Sequence, residues 1–118
     1  MQTVIRTKEL CVLDDQGKER IKLVVTEDWE GNGGPELVML DEHGKRRAVM
    51  YVDGSSRLSM TDENGMPRAG MSVHKDGSSE LVMNDETGIE RAGMSVNTFG
   101  WPELLTKDKN GKTNWKAP

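Results

Sequence analysis

Five aspartates, Asp14, Asp41, Asp62, Asp85 and Asp108, each open an Asp-x-x-Gly tetrapeptide that closes on Gly17, Gly44, Gly65, Gly88 and Gly111. With Asp15, Glu42, Glu63 and Glu86 beside them, they offer the oxygen donors of a calcium protein. Calcium takes about six to eight oxygens converging on one point. Asp-x-x-Gly supplies roughly one carboxylate per turn, without the alternating Asp/Asn spacing of an EF-hand loop or the Gly-rich nonapeptide of a calcium β-roll. Turn formation accounts for the same residues: Asp caps a turn through its side chain, and Gly takes the left-handed conformation that closes it. No metal ligand set and no cofactor is assigned.

The other reactive side chains divide in the same way. His43 and His74 fall in turns of different type, with no Cys or second His at ligand spacing, and read as solvated histidines. Cys11 alternates with Leu10 and Val12, as a strand thiol does, and nothing near it in sequence would lower its pKa. Arg20, Arg47, Arg68 and Arg91 form a column that could bind an anionic polymer, but each follows an acidic turn, so local ion pairing is the expectation. Trp29 and Trp101 stand in the variable loops, each shortly before a Pro-Glu-Leu, and Trp115 takes an apolar column in the last copy. Trp29, Trp101 and Tyr51 are the candidate residues of a shallow aromatic site for a sugar or other small ligand; as structural residues, the loop tryptophans would plug corners and Trp115 would cap the stack. No nucleophile–base pair, phosphate-binding glycine loop or paired-carboxylate cleft is legible. No catalytic residue is assigned, and the reading leans away from an enzyme.

The elements that position these residues repeat. Leu10/Val12, Leu37/Met39, Leu58/Met60 and Leu81/Met83 precede the first four turns at matching offsets, and Leu104 precedes the fifth. After each glycine come the arginines, then Ile21, Ala48, Ala69 and Ala92, then Leu23, Met50, Met71 and Met94, then Val25, Val52, Val73 and Val96; Asn114 and Trp115 hold the arginine and alanine places in the last copy. Alternation with period two marks strands, and Asp53-Gly54 and Asp76-Gly77 mark a second series of turns. The chain is therefore predicted to be one all-β domain over residues 1–118, an antiparallel meander of about ten short strands from five tandem hairpins. A four-residue loop would place Leu37 opposite Ala48. His74-Lys75 is an even insertion that keeps the side-chain parity. The loops at Glu27 to Gly34 and Asn97 to Trp101, with Pro35 and Pro102 after them, are expected at corners.

One predicted face is apolar along the whole chain, with Met39, Met50, Met60, Met71, Met83 and Met94 at its centre; these six are the candidate interface residues. The opposite face carries Cys11, Leu13, Val24, Val38, Leu40, Val49 and Tyr51 in early copies and Ser59, Thr61, Gly70, Ser72, Gly93 and Ser95 in later ones, as a solvated face does or, with Gly70 and Gly93, as one packed closely by another chain does. Leu, Ile, Val and Phe together number only 23 of 118 residues, close to the ~20% level at which a core becomes thin. A sheet so wide is predicted to close into a barrel or prism, or to be completed by other copies of the chain as a dimer or trimer.

The formal net charge of −4 has no basic stripe and argues against nucleic acid. No stretch approaches the ~18 apolar residues of a membrane helix, so no membrane partner is expected. The first ten residues lack an apolar signal core and a single cysteine forms no internal disulfide, which together point to a cytoplasmic protein.

The pattern Leu-x-Met-x-Asp-x-x-Gly-x-x-Arg-Ala-x-Met-x-Val, ending here on Trp115-Lys116-Ala117-Pro118, resembles uncharacterised small bacterial proteins made of tandem hairpins of about this length. The resemblance covers nearly the whole chain and implies the hairpin fold but no activity; a protein of an integron gene cassette is one source it suggests. The turn is also similar to the tyrosine–aspartate repeats of shell-forming toxins, but Leu13, Leu40, Thr61, Asn84 and Lys107 stand where those have tyrosine. Choline-binding and membrane-occupation hairpin repeats are aromatic-rich, and this chain has one Tyr and one Phe. The expected role is a homo-oligomeric interaction or structural module, binding itself and in addition another protein or a small ligand; the alternative is a small-molecule or carbohydrate binder that uses the loop tryptophans or an internal cavity.

Overall fold

Period-two alternation becomes ten strands. The structure, a computed structural model, describes residues 3–27 and 33–117. The strands are β1 (Glu9–Leu13), β2 (Glu19–Glu27), β3 (Gly33–Leu40), β4 (Arg46–Val52), β5 (Ser56–Thr61), β6 (Pro67–Val73), β7 (Ser79–Asn84), β8 (Glu90–Val96), β9 (Pro102–Lys107) and β10 (Thr113–Ala117). They form one antiparallel sheet in sequence order. No helix among the described residues is long and apolar enough to cross a membrane. Trp29 and the centre of the β2–β3 loop lie outside the described residues, as does Pro118.

The Asp-x-x-Gly turns close all five odd-to-even hairpins in one way. In the β3–β4 turn, the Gly44 N–H donates to Asp41 O at 3.0 Å and the Asp41 N–H to Lys45 O at 2.9 Å. Asp41 Oδ1 then accepts the His43 and Lys45 N–H groups at 2.9 and 3.0 Å. Gly44 has φ 78°, a conformation that strains any residue with a Cβ. Asn97-x-x-Gly100 builds the same turn between β8 and β9, its Oδ1 accepting from Phe99 N at 3.0 Å and Trp101 N at 3.1 Å. The segment expected at a corner is thus an ordinary hairpin tip, and Trp101 stands exposed on it (70%) instead of plugging a corner. Pro35, opposite Val25, likewise lies within a regular ladder.

Beyond each Asp turn lies a β-bulge. Met39 pairs with Ala48 but Leu40 pairs with Arg46, which leaves Arg47 as the extra residue. Arg20, Arg68, Arg91 and Asn114 hold the same place in the other hairpins. The predicted pairing of Leu37 with Ala48 is corrected accordingly: Leu37 faces Met50. The error is two positions along the strand, so each side chain keeps its predicted face. The even insertion at His74-Lys75 also preserves parity, with Val73 opposite Ser79.

Barrel or prism closure does not occur: β1 and β10 remain edges of an open sheet. The register gives the reason. Leu10, Leu23, Leu37, Met50, Leu58, Met71, Leu81, Met94, Leu104 and Ala117 line up straight across all ten strands with no accumulated shift. A barrel requires a fixed stagger between first and last strand, and bulges confined to the turn ends supply none. The radius of gyration is 17.6 Å, against about 13.5 Å for a compact chain of this length.

Candidate functional site

One face of this sheet is an uncovered core. Three rows of side chains cross it. The middle row is the straight line from Leu10 to Ala117. On its Asp-turn side runs a row from Val12 through Met39, Ala48, Met60, Ala69, Met83 and Ala92 to Trp115. On the other side, Val25, Pro35, Val52, Ser56, Val73, Ser79, Val96 and Pro102 make the third. All six candidate interface methionines lie on this face, at 42–53% exposure. Among the described residues, only Val38, on the opposite face, is a buried apolar residue. Over β4–β9 the apolar face forms an open trough of about 760 Å³ whose walls include Met50, Leu58, Met71, Val73, Leu81 and Val96.

The opposite face is polar and internally paired. Lys22 Nζ lies 3.4 Å from Glu9 and 3.3 Å from Glu19. Arg46 pairs with Glu36 at 2.7 Å, His74 with Glu80 at 3.1 Å, Lys107 with Glu90 at 3.3 Å and Lys116 with Glu103 at 2.6 Å. Arg57 stacks over the Tyr51 ring, 5.8 Å from its centroid. Two apolar members of this face, Val82 and Leu105, were not singled out in the sequence although they continue the Cys11–Val38–Val49 row; their spacing from Met83 and Leu104 was the available signal.

The arginine column clamps neighbouring hairpins. Because each arginine is the bulge residue, its side chain leaves the normal alternation. Arg47 Nε donates to Thr61 O of the next hairpin at 2.9 Å while Nη1 reaches Asp41 Oδ2 of its own turn at 3.5 Å. Arg20, Arg68 and Arg91 repeat both links, to Leu40, Asn84 and Lys107 and to Asp14, Asp62 and Asp85. Backbone N–H donors from Lys18, Lys45 and Met66, first among several partners, hold the Asp14, Asp41 and Asp62 carboxyls below their ordinary pKa; for Asp85 and Asp76 the hydroxyls of Thr87 and Ser78 lead. These carboxylates are committed to their turns, as the local ion-pairing reading expects.

The remaining candidates do not converge. Tyr51 lies in β4 on the polar face and Trp101 at the β8–β9 tip, five strands or about 24 Å away at ordinary strand spacing. Trp115 is half-exposed on the apolar face. His43 and His74 sit in turns at opposite ends of the strands. Cys11 Sγ donates to Glu9 Oε1 at 3.1 Å, and that carboxylate raises the thiol pKa, the reverse of an activated nucleophile. Glu9, Cys11 and Glu19 offer ligand atoms within 4.8 Å of one another, but the Lys22 ammonium stands between the two carboxylates and supplies the cation.

The chain matches no protein-family model, and no characterised protein resembles it closely enough to count as a match.

Proposed function

We propose that this chain is a homo-oligomeric interaction or structural module that acts by binding, with its apolar sheet face buried against further copies of itself. One observation carries the reading: fifteen large apolar side chains of a single face, from Leu104 to Val25, are 37–56% exposed. A sheet with one apolar face needs a second layer, and each such side chain, already about half covered, gains half of the roughly 1.5–3 kcal/mol of full burial. The accessible area of 8912 Å² exceeds the ~6,400 Å² of a compact monomer of this mass. The excess of about 2,500 Å² per chain, about 5,000 Å² over a dimer, lies at the upper end of what obligate homo-oligomers bury. A cytoplasmic setting fits the single free thiol.

Met71→Asp tests this directly. A carboxylate at the centre of the face has no partner there, so the assembly should dissociate or unfold. A variant that stays assembled and as stable as the parent would refute the assignment of this face. The trough supports a second reading, a binder of small apolar ligands, with Trp101 beside the lining residue Pro102 as reporter. In that case tryptophan fluorescence responds to some member of a small-molecule and glycan panel; silence across the panel refutes it.

A further inference from the structure

We infer that a second copy covers the apolar face about a two-fold axis that runs parallel to the strands and passes between β5 and β6. The inference rests on the homo-oligomer reading and adds its partner geometry.

In the two outer rows side-chain size alternates over the middle strands with a period of two strands, while the middle row is large from Leu10 to Leu104. In the Asp-turn row, Met39, Met60 and Met83 stand on odd strands and Ala48, Ala69 and Ala92 on even ones. In the third row the order inverts: Val52, Val73 and Val96 are on even strands, Ser56 and Ser79 on odd. These two outer rows are knobs and holes repeating about every 9.6 Å. Placing Met on Met would overpack half the contacts and leave voids over the alanines, and both are destabilising.

A two-fold at the middle of ten strands lays each strand over the one equally far from the opposite edge, so odd always meets even: β5 over β6, β4 over β7, β3 over β8. Met83 then meets the second copy's Ala48, Met39 its Ala92, and Ser79 its Val52. Over β3–β8 this overlay sets methionine against alanine and valine against serine in the two outer rows, while the middle row packs large side chain on large, as Leu58 on the second copy's Met71. A two-fold perpendicular to the strands, along the middle row, lays each strand on itself and also alternates large with small. The two differ at β1. Lys8 carries the carbonyl that pairs with the Val25 N–H and belongs to the third row. The perpendicular axis sets the apolar Val12 against the second copy's Lys8 at the open β1 edge, whereas the parallel axis sets Val12 against Trp115 and Leu10 against Ala117, apolar on apolar.

The test is disulfide trapping in a Cys11→Ser background, with native mass measured on the same samples. Within one chain β4 and β7 are three strands, about 14 Å, apart, too far for a disulfide, whose Cα atoms lie roughly 4.4–6.8 Å apart. Ala48→Cys with Met83→Cys should give a covalent dimer as the main species under mild oxidation or, at the ~10 Å spacing of facing sheets, with a short bifunctional thiol cross-linker, and each single variant should not. Val52→Cys with Ser79→Cys repeats the test in the other row should the first pair misfold. Met94→Cys alone faces its own copy only under the perpendicular axis. Its cross-linking, a trimer mass, or a native dimer that neither pair traps would overturn this geometry and leave the homo-oligomer standing; a monomer mass would overturn both.

Discussion

At the scale of single residues, the Asp turns carry most of the local order, and their titration has a definite sign. Asp14, Asp41, Asp62, Asp76 and Asp85 are held below their ordinary pKa in the fold by turn N–H groups and hydroxyls. The unfolded chain then binds more protons than the folded one as the pH falls through about 4. Their contribution is complete above that pH and is lost below it. Thermal midpoints should be level from about pH 5 upward and drop towards pH 2.5; a level midpoint down to pH 2.5 would contradict the turn account. Gly44 is held at φ 78° with open space around an added Cβ, so Gly44→Ala should cost about 1 kcal/mol through backbone strain alone, measured by denaturant unfolding, and Gly44→Asn less. The aspartates were legible in the sequence as turn caps because Asp-x-x-Gly is a local signal. The Arg–Asp pairing was legible as a tendency only; that each guanidinium also grips the next hairpin depends on which strand lies alongside, which spacing alone does not state.

At the scale of elements, the repeat reads directly from residue type. Two-residue alternation placed every strand and both faces, and parity protected those assignments even where the pairing was off by two. The bulge escaped because it is a matter of count: one extra residue between Lys45 and Ala48 looks like strand until the ladder is laid out. Sheet closure escaped for a similar reason, since stagger accumulates over the whole sheet and is invisible in any one hairpin. The bulge arginine yields a paired expectation. Arg68→Ala removes the link to Asn84 O and should cost about 1 kcal/mol, with faster amide exchange across β6–β7 than elsewhere. Among the described residues β10 has no neighbour beyond it, so Asn114→Arg finds no carbonyl to grip and should change stability by less than about 0.5 kcal/mol. Equal effects at the two sites would contradict the clamp.

At the scale of the whole molecule, the chain is a single open sheet with one uncovered apolar face. A single layer 54 Å long leaves its apolar rows in water, and the polar face, with its internally paired charges, has no second core to offer. That the six candidate interface methionines share one exposed face was legible because the same strand position is apolar in every copy. The ligand-site residues Tyr51 and Trp101 were chosen for their chemistry and come to lie on separate parts of the sheet, while Trp29 lies outside the described residues. The most direct measurement is native mass by light scattering at micromolar concentration. A dimer, twice the 13.1 kDa chain mass and unchanged on dilution through that range, is the expected result, and a stable trimer would keep the homo-oligomer while discarding the two-fold. A well-folded particle at 13.1 kDa would contradict the account, because a chain with this face uncovered would then have to be stable alone.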